Sequence, residues 1–170
     1  MIMRVLMLFC PIFLWFVATA PMGYTAIFMF VDGFKGEAID LTHRDWIDLL
    51  GAQWGHGEPA PASRTPQFER LTISKDHDST STLFARYAAD GKPLRELKLE
   101  ITVPFGNVRK PVSRVKLTGV RVTSYSTAAI GNEPTVPTDS IAFSFETITW
   151  ININTMRTGT RYPAARRALT

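Results

Sequence analysis

The chain has 170 residues, 45% of them apolar and 20% charged, which is long and apolar enough for one domain with a packed core. This composition excludes a wholly disordered chain, and a single cysteine excludes an intrachain disulfide framework or a cysteine-built zinc site. The formal net charge of +4 comes from the two ends, because residues 5–156 contain 14 basic and 15 acidic residues. A near-neutral body lacks the basic surface that phosphate binding requires, which argues against nucleic acid as a partner.

Residues 1–20 have the three parts of a secretory signal peptide. Arg4 supplies positive charge, residues 5–17 are almost continuously apolar, and Ala18-Thr19-Ala20 is a small-x-small cleavage pattern. The apolar run is shorter than the roughly 20 residues that span a bilayer, so we expect no stable membrane anchor. Alternatively, Met22 is the true start and residues 1–21 are a mis-assigned extension. In both cases Cys10 is absent from the mature chain.

The next elements in the chain are a strand, a short helix and a long loop. The apolar run 27–31 predicts a strand ended by a turn at Asp32-Gly33, and its continuous apolarity predicts cover on both faces. From Thr42 to Leu50 the apolar residues fall at helical spacing, which on its own predicts a helix. Residues 51–66 contain three Gly and three Pro and predict a loop of the length that is usually functional or mobile.

A second strand and the best-defined helix follow that loop. Residues 68–74 predict a strand with Leu71 and Ile73 on one face. Residues 79–90 predict a helix that Ser79 or Thr80 caps and Gly91 ends. The apolar stripe of this helix consists of Leu83, Phe84, Tyr87 and Ala88.

The rest of the chain predicts strands, so the fold class is mainly β with one short α-helix. Apolar and polar residues alternate over 97–103, 115–122 and 141–150. At Gly119 the apolar phase of the second strand shifts, which indicates a β-bulge. The phase of the third strand changes between Phe145 and Ile148, and bends of this kind let a sheet curl over a core. Residues 132–138 predict a polar connection.

No catalytic constellation emerges from the sequence. The three histidines, His43, His56 and His77, form no H-x-x-x-H or H-E-x-x-H spacing, so no metal site is predicted. The run 76–78 (DHD) offers cation ligands but is better explained as a solvated turn before the helix. We expect His43 to be a structural residue hydrogen-bonded to Asp40 or Asp45. Serine hydrolase and phosphate-binding motifs are absent, so no enzyme activity and no cofactor are predicted.

Residues 27–152 resemble the haemolysin-coregulated protein (Hcp) family, the tube subunits of type VI secretion systems. Residues 27–37 (IFMFVDGFKGE) are similar to the family's first strand and its I-D-G-x-K-G-E-S turn. Thr42-His43, residues 47–50 (IDLL) and Trp54-Gly55 are similar to its T-H…I-D-V-L-x-W-x-W-G stretch. The loop after Gly55 falls at the position of the family's extended loop. Further similarity lies in 71–75 (LTISK), Asp78 with the helix, 120–126, Gly131 and 141–150.

The resemblance implies a compact β-barrel of two packed antiparallel sheets over residues 21–154, with one helix of about residues 79–90 on its side. It replaces the helix over 42–50 by a strand, and it implies no catalysis and no cofactor. It also implies hexameric rings that stack into a hollow tube, together with other secretion components and effectors as partners. Contacts between subunits are then expected at Phe28, Phe30, Trp54, His56 and Glu58.

Three features depart from the family pattern. Gln53 occupies the position of the small residue that faces the tube lumen and helps to hold cargo in the family. The signal-like leader is unexpected, because family members reach the machine from the cytoplasm, as this chain would if it starts at Met22. Residues 155–170 extend past the usual end as a basic tail that we expect to be disordered.

The leader leaves a second reading of the sequence open. In that reading the protein is exported by its signal peptide as a stand-alone binding module that shares the barrel but is not built into a tube. In both readings the protein is secreted.

Overall fold

The computed structural model describes residues 23–57, 67–106, 108–132, 134–153 and 157–163, which form one helix and nine strands. The helix is α1 (Ser81–Asp90). The strands are β1 (Ala26–Val31), β2 (Ile47–Leu49), β3 (Gly51–Gly57), β4 (Gln67–Asp76), β5 (Pro93–Phe105), β6 (Val108–Ala128), β7 (Thr138–Ser144), β8 (Thr147–Asn152) and β9 (Arg157–Pro163). The mainly β class with one helix is therefore confirmed.

All strand pairs are antiparallel, and the long strand β6 belongs to two layers. Its first half lies between β5 and β8, and the first layer has the order β2-β1-β5-β6-β8-β9. Its second half pairs with β7, and the second layer has the order β6-β7-β4-β3. The predicted two packed sheets are thus one continuous ladder folded at β6.

The fold of β6 occurs at Gly119, where the apolar phase shifts as predicted. The predicted β-bulge is not there, because β5 and β6 keep their register from Ser113 to Arg121, and the register shift of β6 lies between Val122 and Ser124. Gly119 has φ +64°, a left-handed conformation that residues with a Cβ rarely adopt. The amide of Glu146 donates to Thr118 O at 2.9 Å, so the break between β7 and β8 lies beside the bend in β6. The buried apolar positions change phase at both breaks, from Leu117 to Val120 and from Phe145 to Ile148.

The two ends of the ladder, β2 and β3, follow each other in the chain at Leu50. The Leu50 amide donates to Ser74 O at 2.9 Å, and this contact leads from the β1 edge of one layer to the β4 edge of the other. The helix predicted from spacing over 42–50 is therefore wrong. Residues 42–46 form turns and β2 follows, because Ile47 and Leu49 point into the core and Asp48 points outward as in a strand.

The core lies between the layers, and α1 covers part of it. Phe84 is fully buried from the helix and packs edge-on against Phe143, with ring centroids 5.9 Å apart. Leu83, Tyr87 and Ala88 also pack on the core, which confirms the predicted stripe. The largest fully buried apolar side chains are Met29, Ile47, Leu71, Ile73, Phe84, Leu97, Leu99, Leu117, Ile141, Phe143 and Ile148. Within the described ranges, no helix is long and apolar enough to cross a bilayer.

The helix starts differently from the prediction. The N-cap residue is Thr80, but its side chain makes no capping hydrogen bond. Instead Asp78 Oδ1 accepts from the Thr80 amide at 2.8 Å and from Thr80 Oγ1 at 2.6 Å. Gly91 ends the helix in the left-handed conformation, as expected.

Strand β9 lies in the stretch expected to be a disordered tail. Arg157–Pro163 pairs with β8, so these seven residues form a strand within that stretch. Residues 1–20 with the predicted signal peptide, and residues 164–170, lie outside the described residues.

Candidate assembly surfaces

The outer face of the second layer carries two rows of uncharged side chains, most of them small. Strand register places Gln53, Thr72, Ala142 and Ser124 side by side in one row, and Gly51, Ser74, Ser140 and Ser126 in the next. Their neighbours along each strand, such as Leu71, Ile73 and Phe143, are buried in the core, so these eight residues lie on the opposite face. We call this set the polar face.

Gln53 borders a shallow depression of about 290 Å³ in the polar face. The lining residues include Gly51, Thr72, Ser74 and Ser140, so the depression offers hydroxyl and amide groups and no charge. Gly51 leaves room above Ser74, whose Oγ would lie 3.2 Å from an added Cβ. The depression can therefore form hydrogen bonds with a polar surface but cannot form ion pairs.

The outer face of the first layer is charged instead. Glu96 accepts hydrogen bonds from Lys98, at 2.6 Å, and from Lys116, and these two ammonium groups lower the pKa of its carboxyl. On the same face, Arg114 contacts the buried carboxylate of Glu100, with Nε to Oε2 at 2.7 Å. The first layer thus carries charge at the centre of its outer face, whereas, among the described residues, the outer face of the second layer carries it only at the borders of the polar face, at Asp76, Arg70 and Arg121.

Aromatic rings cover β1 on this charged side. His43 stacks on Phe28, with centroids 4.1 Å apart and planes 8° apart, and Trp46 packs edge-on against His43. The rings of Phe30 and Trp46 also pack together, with centroids 5.6 Å apart. Phe28 is 3% exposed, so the predicted cover on both faces of β1 is confirmed. The loop between β1 and β2 supplies this cover.

Two carboxylates hold the His43 ring in place. Its Nδ1 lies 2.8 Å from Asp40 Oδ1 and its Nε2 lies 3.1 Å from Glu100 Oε1. The structural role predicted for His43 is therefore confirmed with Asp40 as the partner, whereas Asp45 contacts Lys35 instead. Burial acts to raise the pKa of Asp40, but hydrogen bonds from Thr42 and His43 outweigh it and lower the pKa to about 2.

Backbone contacts explain the glycines of the D-G-F-K-G-E turn that starts this loop. Gly33 has φ +83°, a conformation that favours glycine. A Cβ on Gly36 would lie only 2.1 Å from Trp46 O, so a larger residue there would push the two halves of the loop apart. The Gly36 amide donates to Asp45 O at 2.9 Å and joins those halves.

A buried polar cluster at Lys75 was missed by the sequence analysis. Lys75 is fully buried, and its Nζ lies 2.7 Å from Asp78 Oδ1, 3.0 Å from Ser81 Oγ and 3.3 Å from Asp139 Oδ2. The available signal was the alternation in β4, because Lys75 occupies the next inward position after Leu71 and Ile73. Because lysine side chains are seldom buried, this alternation alone does not predict that Lys75 lies in the core.

Asp139 joins this cluster to three further side chains. It accepts from Ser81 Oγ at Oδ2, while Tyr125, Thr127 and His77 contact Oδ1 at 2.8 to 3.0 Å. Burial acts to raise the pKa of Asp139, but these hydrogen bonds, with that of Ser81 foremost, outweigh it and hold the pKa well below its ordinary value. The cluster ties the start of α1 to β4, β6 and β7.

The predicted site residues lie in different parts of the structure. Gln53 is exposed on the polar face, Phe30 and Trp54 are half-buried, and Phe28 is covered by His43 within the same chain. His56 belongs to β3, but its side chain is not described, and Glu58 lies outside the described residues. Among the described residues, no three His, Cys, Asp or Glu side chains form a group that could hold a metal ion.

The fold and these surfaces define a small mainly β subunit with a charged outer face on the first layer and, on the second, uncharged rows bordered by Asp76 at one end and by Arg70 and Arg121 at the other. The chain belongs to the family described as "Type VI secretion system effector, Hcp", whose model matches residues 28–151. A search of curated proteins found no significant match. The family resemblance and the fold expected from it are confirmed.

Solved structures of similar proteins agree with this assignment. A type six secretion system protein is 26% identical, with a TM-score of 0.69 over 81% of this chain and 91% of that one. Hcp1 from Salmonella typhimurium is 22% identical, with a TM-score of 0.69 over 82% and 94%. The secreted protein Hcp3 from Pseudomonas aeruginosa is 14% identical, with a TM-score of 0.66 over 84% and 100%. The last two show similarity of fold alone.

Proposed function

We propose that this protein is a non-enzymatic tube subunit of a type VI secretion system, which assembles into hexameric rings that stack and are secreted with, or carrying, effectors. The observation that carries the proposal is the family match over residues 28–151. Assembly partners follow from it: further copies of the chain, other components of the secretion machine, and effectors. The ring number is carried over from the family resemblance.

The polar face is the surface that best suits the wall of a channel. A wall of small, uncharged side chains lets polypeptides of either charge pass, since it forms no lasting ion pairs with them. The charged outer face of the first layer would then lie on the outside of the ring. Gln53 adds an amide donor and acceptor to the wall where the family has a small residue, so we propose that it is the cargo-facing position of this chain.

The other predicted contact residues remain part of the proposal, but they differ in how much surface they offer to a neighbouring subunit. Phe30 and Trp54 are half-buried and keep surface for a neighbour. The predicted loop over 51–66 is strand β3 as far as Gly57, so His56 lies in that strand, and Glu58 follows it in the chain. Phe28 is covered by His43, so it would act on an interface only by supporting the ring that covers it.

Imaging and light scattering of the purified protein test the proposal. The chain starting at Met22 and the full-length chain are each measured over a range of concentrations, by multi-angle light scattering and by negative-stain electron microscopy. We expect rings and stacks of rings. A chain that stays monomeric at every concentration in both forms would refute the tube function.

The leader pattern at Ala18-Thr19-Ala20 supports one competing function, that of an exported stand-alone binding module. Mass spectrometry of the native N-terminus separates the two. A chain beginning at Pro21 in the periplasm favours the exported module, and a chain beginning at Met22 in the cytoplasm favours the tube subunit.

A further inference from the structure

The β5–β6 hairpin ends in an arm that extends past its neighbours. Strand β1 pairs with β5 only as far as Thr102, and β8 pairs with β6 only from Ser113. Between these limits, among the described residues, β5 and β6 pair only with each other, as far as Phe105 opposite Val108. We call residues 103–112 the arm.

The arm exposes apolar surface beside positive charge. Phe105 is 66% exposed and Val108 61% exposed at its tip. Lys110 Nζ lies 5.4 Å from the centre of the Phe105 ring and is solvent-exposed. Arg109 donates to Tyr24 O at 2.9 Å and anchors the arm to its own chain. Residues 101–132 contain five basic and no acidic residues, so nothing near the arm in sequence neutralises its charge.

The loop between β1 and β2 has the complementary properties. Ile39 and Leu41 are 93% and 94% exposed, more than any other described large apolar residue. Residues 32–48 contain five acidic and two basic residues, and Glu37 among them is exposed. Asp32 pairs with Arg95, Asp45 with Lys35 and Asp40 with His43, so the negative charge beside these aliphatic side chains comes from Glu37 and Asp48.

The loop is held in one conformation while it exposes these side chains. Asp40, between Ile39 and Leu41, accepts from the Thr42 amide at 2.9 Å and from the His43 amide at 3.1 Å. A fixed apolar pair loses little conformational entropy when it is covered, which favours its use as a binding surface.

The tip of the arm lies beyond the point where the loop of the same chain is anchored to β5. His43, which anchors the loop, meets Glu100 in β5, whereas the arm tip at Phe105 lies five residues further along the strand. At about 3.3 Å per residue this is roughly 16 Å. Within the chain, Arg109 of the arm acts on Asp48 at the end of the loop segment, but the apolar side chains at the arm tip and in the loop are exposed on their own chain and can be covered by a second copy.

We propose that the arm of one subunit docks on the Ile39–Leu41 loop of a neighbouring copy. Apolar side chains on both sides would bury each other, and Lys110 would face the acidic setting of the loop. Two different surfaces that fit each other make a head-to-tail contact, which repeats from copy to copy and so builds rings or stacks. The inference rests on the proposed function, since it names the contact by which the tube subunit would assemble.

Site-specific crosslinking tests which surfaces meet. The full-length chain with Cys10→Ser carries Leu41→Cys and Val108→Cys, and a short bismaleimide is added to the assembled protein. We expect a ladder of covalent dimers, trimers and larger species, because each subunit then presents both reactive positions to different neighbours. Mass spectrometry should recover the peptide pair that contains residues 41 and 108. A matched control with Leu41→Cys and Ser124→Cys should give no ladder.

Several outcomes would overturn the proposal. Dimers from Val108→Cys alone would indicate an arm-to-arm contact instead, and normal assembly without links between residues 41 and 108 would place the contact elsewhere. A protein that light scattering finds monomeric before crosslinking would refute the tube function itself, so the two failures are distinguishable.

Substitution of the arm provides a second measurement. Phe105 is exposed, so Phe105→Ser should leave the far-ultraviolet circular dichroism spectrum unchanged while it raises the concentration for half-assembly about tenfold or more. The control is Ile130→Ser, which removes an apolar side chain of equal exposure, 67%, from the β6–β7 connection. Equal effects of the two substitutions, or none from Phe105→Ser, would contradict the proposed contact.

Discussion

At the scale of single residues, the ammonium group of Lys75 and the carboxylate of Asp139 are both fully buried and lie 3.3 Å apart. Removing charges from water is costly, and the cost is offset only when each charge has close partners. Here Asp78 and Ser81 also contact the Lys75 ammonium group, and Tyr125 and Thr127 contact the Asp139 carboxylate. The cluster therefore depends on the simultaneous positions of α1, β4, β6 and β7.

Replacing Lys75 should be strongly destabilising. Lys75→Met leaves the carboxylates of Asp78 and Asp139 without their cation, and we expect a loss of about 3–5 kcal/mol in the free energy of unfolding. The matched control is Lys98→Met, which removes a partly exposed ion pair with Glu96 and should cost at most about 1 kcal/mol. Urea denaturation of both variants measures the difference, and equal losses would show that burial of Lys75 adds nothing.

Asp40 should stabilise the fold in a pH-dependent way. Its pKa is lowered from 3.8 to about 2, so its contribution is complete above pH 3.8 and is lost as the pH falls toward 2. We expect this contribution to be about 2 kcal/mol. Asp40→Asn keeps an oxygen acceptor but does not titrate, so the stability gap between the two proteins should close over this range. Denaturant unfolding at several pH values between 2 and 6 measures the gap, and a constant gap would contradict the role of Asp40.

At the scale of elements, two glycine-dependent close approaches shape the layers. Gly119 bends β6 from the first layer into the second, and the side chain of Glu146 occupies the space that a Cβ would need there, 2.4 Å away. Gly36 lets the β1–β2 loop fold back on itself, so that His43 reaches Phe28. In both cases a neighbouring segment determines that only glycine fits.

Gly119→Ala should destabilise the corner of the fold. The substitution combines a positive φ with a contact to Glu146, and we expect a loss of about 1–3 kcal/mol. Gly55→Ala is the control, because Gly55 has no positive φ and nothing within 4 Å of an added Cβ. Thermal unfolding should separate the variants by several degrees, and an unchanged melting temperature for Gly119→Ala would show that the corner relaxes freely.

At the scale of the whole molecule, the surfaces differ in charge by position. The polar face is uncharged, the opposite face carries the Glu96 and Glu100 ion pairs, the arm is basic, and the β1–β2 loop is acidic. A net charge alone does not reveal this division. The division of charge between the surfaces predicts that identical copies assemble only when oppositely charged surfaces face each other.

Assembly should therefore weaken as salt screens the arm and the loop. Lys110→Glu should weaken it further at low salt, and Glu37→Lys in the same chain should restore part of the loss, since the two charges are then exchanged rather than removed. Sedimentation velocity over a salt series measures both effects. If assembly does not change with salt concentration, or if the double variant assembles less than Lys110→Glu alone, the two surfaces are not electrostatically complementary.

Much of the fold could be predicted from the alternation of side chains along single strands. The strands at 27–31, 68–74 and 141–150, the stripe of α1 and the bend at Gly119 all follow from local patterns. The short strand β2 could not be predicted in this way, because three residues are too few to distinguish a period of two from a helical period. Strand β9 was missed because a basic segment with few large apolar residues has no pattern of its own and is ordered by pairing with β8.

The candidate site was less predictable than the fold. Gln53 was identified through the family resemblance, but its neighbours Thr72, Ser74 and Ser140 come from distant strands and meet it only through the register of β3, β4 and β7. The exposure of Phe105 likewise depends on where the neighbouring strands β1 and β8 end, and that of Ile39 depends on the path of the β1–β2 loop. The sequence alone does not show which of these residues lie close together in space.

By itself, the sequence determined that this protein is a near-neutral, mainly β domain between an apolar N-terminal stretch and a basic end, without a recognisable catalytic motif and with the motifs of the Hcp family. These properties depend on composition and on neighbours a few residues apart. Only the tertiary structure decided that Lys75 is a core residue, that His43 covers Phe28, and that uncharged side chains form the polar face while an arm and a loop are exposed. Those properties depend on the pairing of strands far apart in the chain, which sets whether each side chain meets solvent, the core or an opposite charge.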